Sequence, residues 1–247
     1  SVLSYVFTPD ADKELKSDLD TLEMLLEGFD FGDPYTEKDA EPAQPAVEQL
    51  QLEPADTALP HMTITADDGT FRIDAPLDAA VIHAGTDANT VARTRALFAE
   101  RTGGGECFDE WYKDVVEQNC WLLVSREYGL AVQITADESV GYLMSSAQLA
   151  QLEEPVLEAI QERFDYASVG DETAAIQLDG KDHVWFTYKI GKGGMELLTY
   201  VLTAADGTGM YEMDIYLCCE NDKTSDELSE MVILMMNSLD YLPETQL

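Results

Sequence analysis

Residues 172–219, ETAAIQLDGKDHVWFTYKIGKGGMELLTYVLTAADGTGMYEMDIYLCC, constrain the fold more than any other stretch. Val184, Phe186, Tyr188 and Ile190 alternate with Trp185, Thr187 and Lys189, and Tyr211, Met213, Ile215 and Leu217 alternate with Glu212, Asp214 and Tyr216. A period of two is the signature of a strand with distinct faces. The segments DGKD, GKGG and ADGTG are rich in turn formers, so the reading is four strands joined as an antiparallel meander. One apolar and one polar face imply a sheet covered on one side. Two helical stripes are available to cover it: Leu149, Leu152, Val156, Ile160 and Phe164, then Leu228, Met231, Val232, Met235 and Leu239. Residues 62–247 thus form an α+β domain, an antiparallel meander flanked by helices.

Upstream of the meander the texture remains regular. MTITADDGTFRIDAP alternates around Asp68-Gly69, a hairpin turn signal. DANTVARTRALFAERTGGG and FDEWYKDVVEQN read as two helices parted by glycines, a helical insertion at 84–120. CWLLVSREYGLAVQIT reads as two strands folded about Tyr128-Gly129, and Pro155 predicts a kink or break in the helix at 146–164. Ser-Ser in MSSAQ is a helix cap.

Residues 1–31 begin with a strand, SVLSYVFT, followed by a helix with Leu15, Leu19, Leu22, Leu25, Leu26 and Phe29 on one stripe. This strand-helix resembles the one at 215–241: at an offset of 210 residues Phe29-Asp30-Phe31 falls on Leu239-Asp240-Tyr241, and Leu25 on Met235. A lone strand and helix cannot bury their apolar faces. They therefore dock on the domain or form the tail of an upstream copy in a tandem repeat; chance likeness between acidic amphipathic helices is the alternative. Residues 32–61 hold five of the nine prolines and read as an acidic linker.

The order of elements from FRIDAP through IQLDGKDHVWFTYKI and LLTYVLTAADGTGMYEMDIYL to MMNSLDY resembles the PsbP/DcrB-like domain. The resemblance covers residues 62–242 in pattern, includes Ser238 near the end of the last helix, and departs from the family at the insertion. It implies an antiparallel sheet flanked by helices and a bacterial, non-catalytic accessory or binding module of the cell envelope, secreted or a lipoprotein. It carries over no functional residue.

With 49 acidic residues against 14 basic ones, the formal charge is -35. Such a field repels phosphate backbones and anionic headgroups, which disfavours nucleic-acid and membrane-surface partners. It also serves solubility alone. No stretch is long and apolar enough to span a bilayer. Ser1 follows no Met or basic-apolar leader, so the expectation is a removed signal or a trimmed chain, with any envelope anchor in residues absent from this sequence. A cytoplasmic location is the alternative.

No residues point to a cofactor, and no catalytic constellation emerges. His61, His83 and His183 lack a second histidine at ligand spacing and read as solvated or capped side chains. RTGGGE at 101–106 lacks the Lys-Ser/Thr ending of a phosphate loop and reads as a flexible loop. A weak divalent-cation site, calcium in particular, is a candidate at Asp10, Asp12 and Glu14 and, in the matching turn, at Glu220, Asp222 and Asp226; acids at a helix N-terminus complement its dipole and explain both clusters equally. Trp111, Tyr112, Trp185 and Tyr188 are candidate contacts for a small-molecule or protein partner, Trp185 standing on the polar side of its strand against a partner or the helical insertion. Cys107 and Cys120 form either a disulfide or buried free thiols. The leading expectation is a non-catalytic extracytoplasmic binding domain. The alternatives are a hydrolase using carboxylates around 101–120 and a calcium-binding module.

Overall fold

A computed structural model describes residues 59–137, 143–178, 181–218 and 223–241, all within the unit Pro45–Leu247. The predicted strand-helix at 1–31, the linker as far as residue 58, and Asp10, Asp12, Glu14, Glu220 and Asp222 lie outside the described residues.

The described residues begin with the hairpin β1 (His61–Thr65) and β2 (Phe71–Pro76), followed by the short β3 (Ala80–Ile82). Two helices follow, α1 (Ala88–Thr102) and α2 (Gly105–Gln118), then the hairpin β4 (Trp121–Ser125) and β5 (Leu130–Asp137). After α3 (Ser146–Leu149), a 3-10 turn (Ala150–Leu152) and α4 (Glu153–Arg163) come β6 (Tyr166–Leu178), β7 (Lys181–Lys192), β8 (Met195–Ala205) and β9 (Met210–Cys218). Helix α5 (Ser225–Ser238) and the two-residue β10 (Asp240–Tyr241) are the last described elements.

Seven strands form one antiparallel sheet in the order β3-β4-β5-β9-β8-β7-β6, and β1-β2-β10 form a smaller one. The meander is therefore present, hydrogen-bonded to the 121–137 hairpin through β5 and β9. Near the start of β6 the register slips between Val169 and Thr173. Gly170 lies in that slip, where a Cβ would stand 2.7 Å from the Thr187 carbonyl oxygen, so only glycine fits the close approach.

The one-sided sheet is corrected. Ladder partners place Phe186 opposite Val201 and Val201 opposite Asp214, so the apolar set of β7 shares a face with the acids of β9. Met213, by the same ladder, lies level with Leu202 and Trp185 on the reverse face. Both faces are buried. Val184, Phe186, Tyr188 and Ile190 pack with Phe98, Phe108, Trp111 and Ile160 from the helices α1, α2 and α4. Met213 and Ile215 pack with Phe71, Ile73, Met231 and Met235 from the small sheet and α5. Burying each such side chain contributes about 1.5–3 kcal/mol. Alternation gives each strand two faces but not the phase between strands, and that phase is what the sequence pattern left open.

Local signals place the helix ends. Gly103 takes φ 74 as the cap of α1, and Gly104 precedes α2. RTGGGE is thus a tight helix-to-helix turn, with Thr102 Oγ1 donating to the Phe98 carbonyl at 2.8 Å, rather than a loose loop. Arg95 clasps Asp109 through two bonds of 2.6 Å and holds the two helices together. Ser145 caps α3 in a capping box with Gln148, as MSSAQ suggests. The helix breaks two residues before Pro155, which takes a place in the first turn of α4 where its missing N–H costs nothing. His183, expected to be solvated or capped, is wholly buried and stacked on Tyr241 of the small sheet, with its Nδ1 3.1 Å from the Lys181 carbonyl.

Candidate functional site

A cleft of about 200 Å³ opens between the sheet and helices α2 and α4. Helix α4 contributes Val156, Ala159, Ile160 and Arg163 from one stripe, at the i, i+3, i+4, i+7 spacing. From α2 comes Asp114, one turn after Trp111. The floor is the sheet: Gln133 on β5, Val201 on β8, and Glu212, Asp214 and Tyr216 on β9. Because Met213 and Ile215 take the other face, the pleat forces these three polar residues of β9 into the cleft together.

The polar groups form a connected chain. Asp114, 7% exposed, accepts from Arg163 Nη2 and, at 3.2 Å, from Gln133 Nε2. Gln133 Nε2 also lies 3.2 Å from the Trp111 carbonyl and 3.6 Å from Cys120 Sγ. The Tyr216 hydroxyl lies 3.0 Å from Gln133 Oε1 and 3.2 Å from Asp214 Oδ2. The chain stops at Asp214 Oδ1, which is buried and accepts no hydrogen bond. A buried polar atom without a partner costs about 1–3 kcal/mol.

Burial, and then the neighbouring Glu212 carboxylate, push the Asp214 carboxyl well above the usual range. Glu212 is raised by burial and then by Asp114. Burial also raises Asp114, with Arg163 opposing it. The Tyr216 phenol is pushed well up by burial and by Asp214. Burial thus works against the charged form of each of these acids.

The four aromatic candidates are not gathered in one groove. Trp111 is wholly buried behind the cleft, 5.0 Å from Tyr216, with its Nε1 unpartnered. Tyr188 is wholly buried and donates to the Glu153 carbonyl at 2.9 Å. Tyr112 is half-buried against the helical side of the core. Trp185 is half-buried on the opposite face, 5.5 Å from Tyr200, so it does not pack beneath the helical insertion. Asp226 is exposed in the first turn of α5, and among the described residues no group of three or more His, Cys, Asp or Glu could hold a metal ion. Cys107 and Cys120 are buried free thiols.

Glu212, Asp214 and Gln133 escaped the sequence reading, the first two because acids on an alternating strand look solvated. A glutamine inside the apolar run LAVQIT was the available signal.

No family model matches the chain, and no curated protein matches it. The fold is similar to cyanobacterial PsbP (CyanoP) from Synechocystis, at 11% identity and TM-score 0.41, over 74% of this chain and 92% of that one. It is similar to LpqN, involved in cell envelope biogenesis of Mycobacterium tuberculosis, at 8% identity and TM-score 0.37, over 73% and 89%. A point mutant of Mog1 is similar at 8% identity and TM-score 0.39, over 74% and 97%. These likenesses accompany the PsbP/DcrB-like resemblance of residues 62–242 and transfer no residue role to this chain.

Proposed function

We propose that this α+β domain is a non-catalytic binding or accessory module of an extracytoplasmic protein, and that the cleft between α2, α4 and β9 receives its ligand. The observation that carries the reading is the convergence of Asp114, Gln133, Arg163, Glu212 and Asp214 on one cleft beside the aliphatic Val156, Ile160 and Val201. The Asp114 carboxylate is already engaged by Arg163 and Gln133, which suits a positioned wall more than an acid free to transfer protons. The extracytoplasmic location rests on the resemblance of residues 62–242 and is tested by fractionating the native host.

A fragment set screened by amide chemical shifts against the wild type and Val201→Trp tests the cleft. Fragments are expected to shift amides of β9 and α4 in the wild type and not in the variant, whose indole occupies the floor. Steady turnover of any fragment would replace the binding reading with an enzymatic one.

A further inference from the structure

We propose that helix α4 is a pH-sensitive lid on the sheet, held down while Glu212 and Asp214 carry protons and loosened when both lose them. The lid is a property of the ligand-free protein and does not depend on the cleft being a binding site.

The packing of α4 makes it the wall able to give. Of its 11 residues only Ile160 is buried, with Val156 and Leu157 partly buried against the same core. The facing wall, α2, buries Cys107, Phe108, Trp111 and Val115. The other ties of α4 are polar. At its start the Tyr188 hydroxyl donates to the Glu153 carbonyl at 2.9 Å, and Thr173 Oγ1 donates to the Glu153 carboxylate. At its end Arg163 pairs with Asp114, and Lys192 Nζ donates to the Arg163 carbonyl at 2.5 Å and to Glu110 at 2.7 Å. A helix with so little buried apolar surface belongs to the low-stability end of a fold.

Beneath α4, three carboxylates, Asp114, Glu212 and Asp214, line the cleft with one guanidinium, Arg163. Arg163 pairs with Asp114 and also favours the charged forms of Glu212 and Asp214. Around them stand Glu110 on α2, Cys120 before β4, Tyr216 on β9, Tyr188 on β7 and Glu153 on α4. Each of these is neutral or negative, and Lys192 is engaged by Glu110. One guanidinium offsets one carboxylate, so full ionisation leaves excess negative charge in a half-enclosed space.

That imbalance sets the direction of the switch. With Glu212 and Asp214 protonated, the Asp114–Arg163 pair is balanced, and Val156 and Ile160 rest over a neutral floor. Burial first, and then the neighbouring carboxylates, hold both acids above the ordinary carboxylate range, so their charges arrive above that range as pH rises. Once ionised they need water. Of the two helical walls, α4 is the one that yields to admit it.

The test follows amide hydrogen exchange of the whole chain by NMR from about pH 5 to about pH 8, corrected for the intrinsic pH dependence of exchange. The side-chain carboxyl carbons of Glu212 and Asp214 are titrated in the same samples. Protection of the amides from Leu157 to Arg163 is expected to fall about tenfold or more beyond any change in β7 and β8, in step with the carboxyl signals. In the Glu212→Gln, Asp214→Asn double variant, checked for folding by its melt and amide spectrum, protection of α4 relative to β7 is expected to stay flat. If α4 and β7 lose protection alike, the opening is global and there is no lid. The lid is equally overturned if α4 stays protected, if its loss does not follow the carboxyl titration, or if the folded double variant keeps the wild-type dependence. Should the double variant not fold, the wild-type comparison of α4, β7 and the carboxyl signals decides alone. No ligand enters these measurements, so the fragment screen of the cleft is judged separately.

Discussion

The Tyr216 hydroxyl lies 3.0 Å from Gln133 Oε1, bridging β9 to β5 beneath the cleft. The contact fixes the glutamine so that its amide nitrogen faces Asp114 and the Trp111 carbonyl. One phenol thus organises polar groups drawn from a helix and two strands.

Tyr216→Phe tests that role. It leaves Gln133 Oε1 without its donor and removes the hydroxyl that holds the Asp214 carboxyl down. Stability is expected to fall by about 1–3 kcal/mol, read from urea unfolding. An unchanged midpoint would show that the phenol contributes packing only.

The raised carboxyls of Glu212 and Asp214 set a pH dependence. Their folded pKa values stand above their unfolded ones, so the folded state binds more protons. The stability they contribute is fully present below the unfolded value, near 4, and is lost as pH rises toward the folded value. Melting temperature is therefore expected to fall as pH rises above about 4. The net charge of -35 acts in the same direction, so the diagnostic quantity is the difference from a Glu212→Gln, Asp214→Asn double variant. That variant should melt higher at pH 7 and show a shallower slope; equal slopes would remove these two acids from the account.

Burial pushes the Cys107 thiol up to about 11 and the Cys120 thiol up to about 12. Both should resist a thiol-specific reagent at pH 8 in the native protein and react fully in urea, with peptide mapping to locate the label. Labelling of either within seconds under native conditions would place it at the surface.

Ser238 Oγ accepts the Asp74 N–H at 2.8 Å and donates to the Met235 carbonyl at 3.1 Å. Ser238→Ala removes the acceptor that links α5 to β2 and should cost about 1 kcal/mol in thermal or urea unfolding. Ser238→Thr, which keeps the hydroxyl, should recover part of the loss.

The strands and helices were legible from the sequence wherever period, turn and cap agreed. Asp68-Gly69, Tyr128-Gly129 and the glycines after Thr102 each mark a real turn. The phase between β7 and β9 was not legible, since it depends on where Val201 of β8 meets Phe186 and Asp214 in the ladders. That same phase hides the candidate site. Glu212 and Asp214 occupy the positions a solvated face would occupy, and only the opposing helices α2 and α4 turn that face into a cleft. Trp185 shows the converse: it reads as outward from a polar neighbourhood and is half-buried beside Tyr200.

The two residues of β10 complete the small sheet by pairing with β2, Asp240 beside Arg72 and Tyr241 beside Phe71. Arg72 and Asp240 also form an ion pair at 2.7 Å across 168 positions of sequence. During synthesis on the ribosome the opening hairpin must wait for nearly the whole domain to emerge before it gains its third strand. Until then the apolar surface around Phe71 and Ile73 lacks its cover. A nascent chain stalled before residue 240 is thus the state most exposed to chaperone capture and proteolysis.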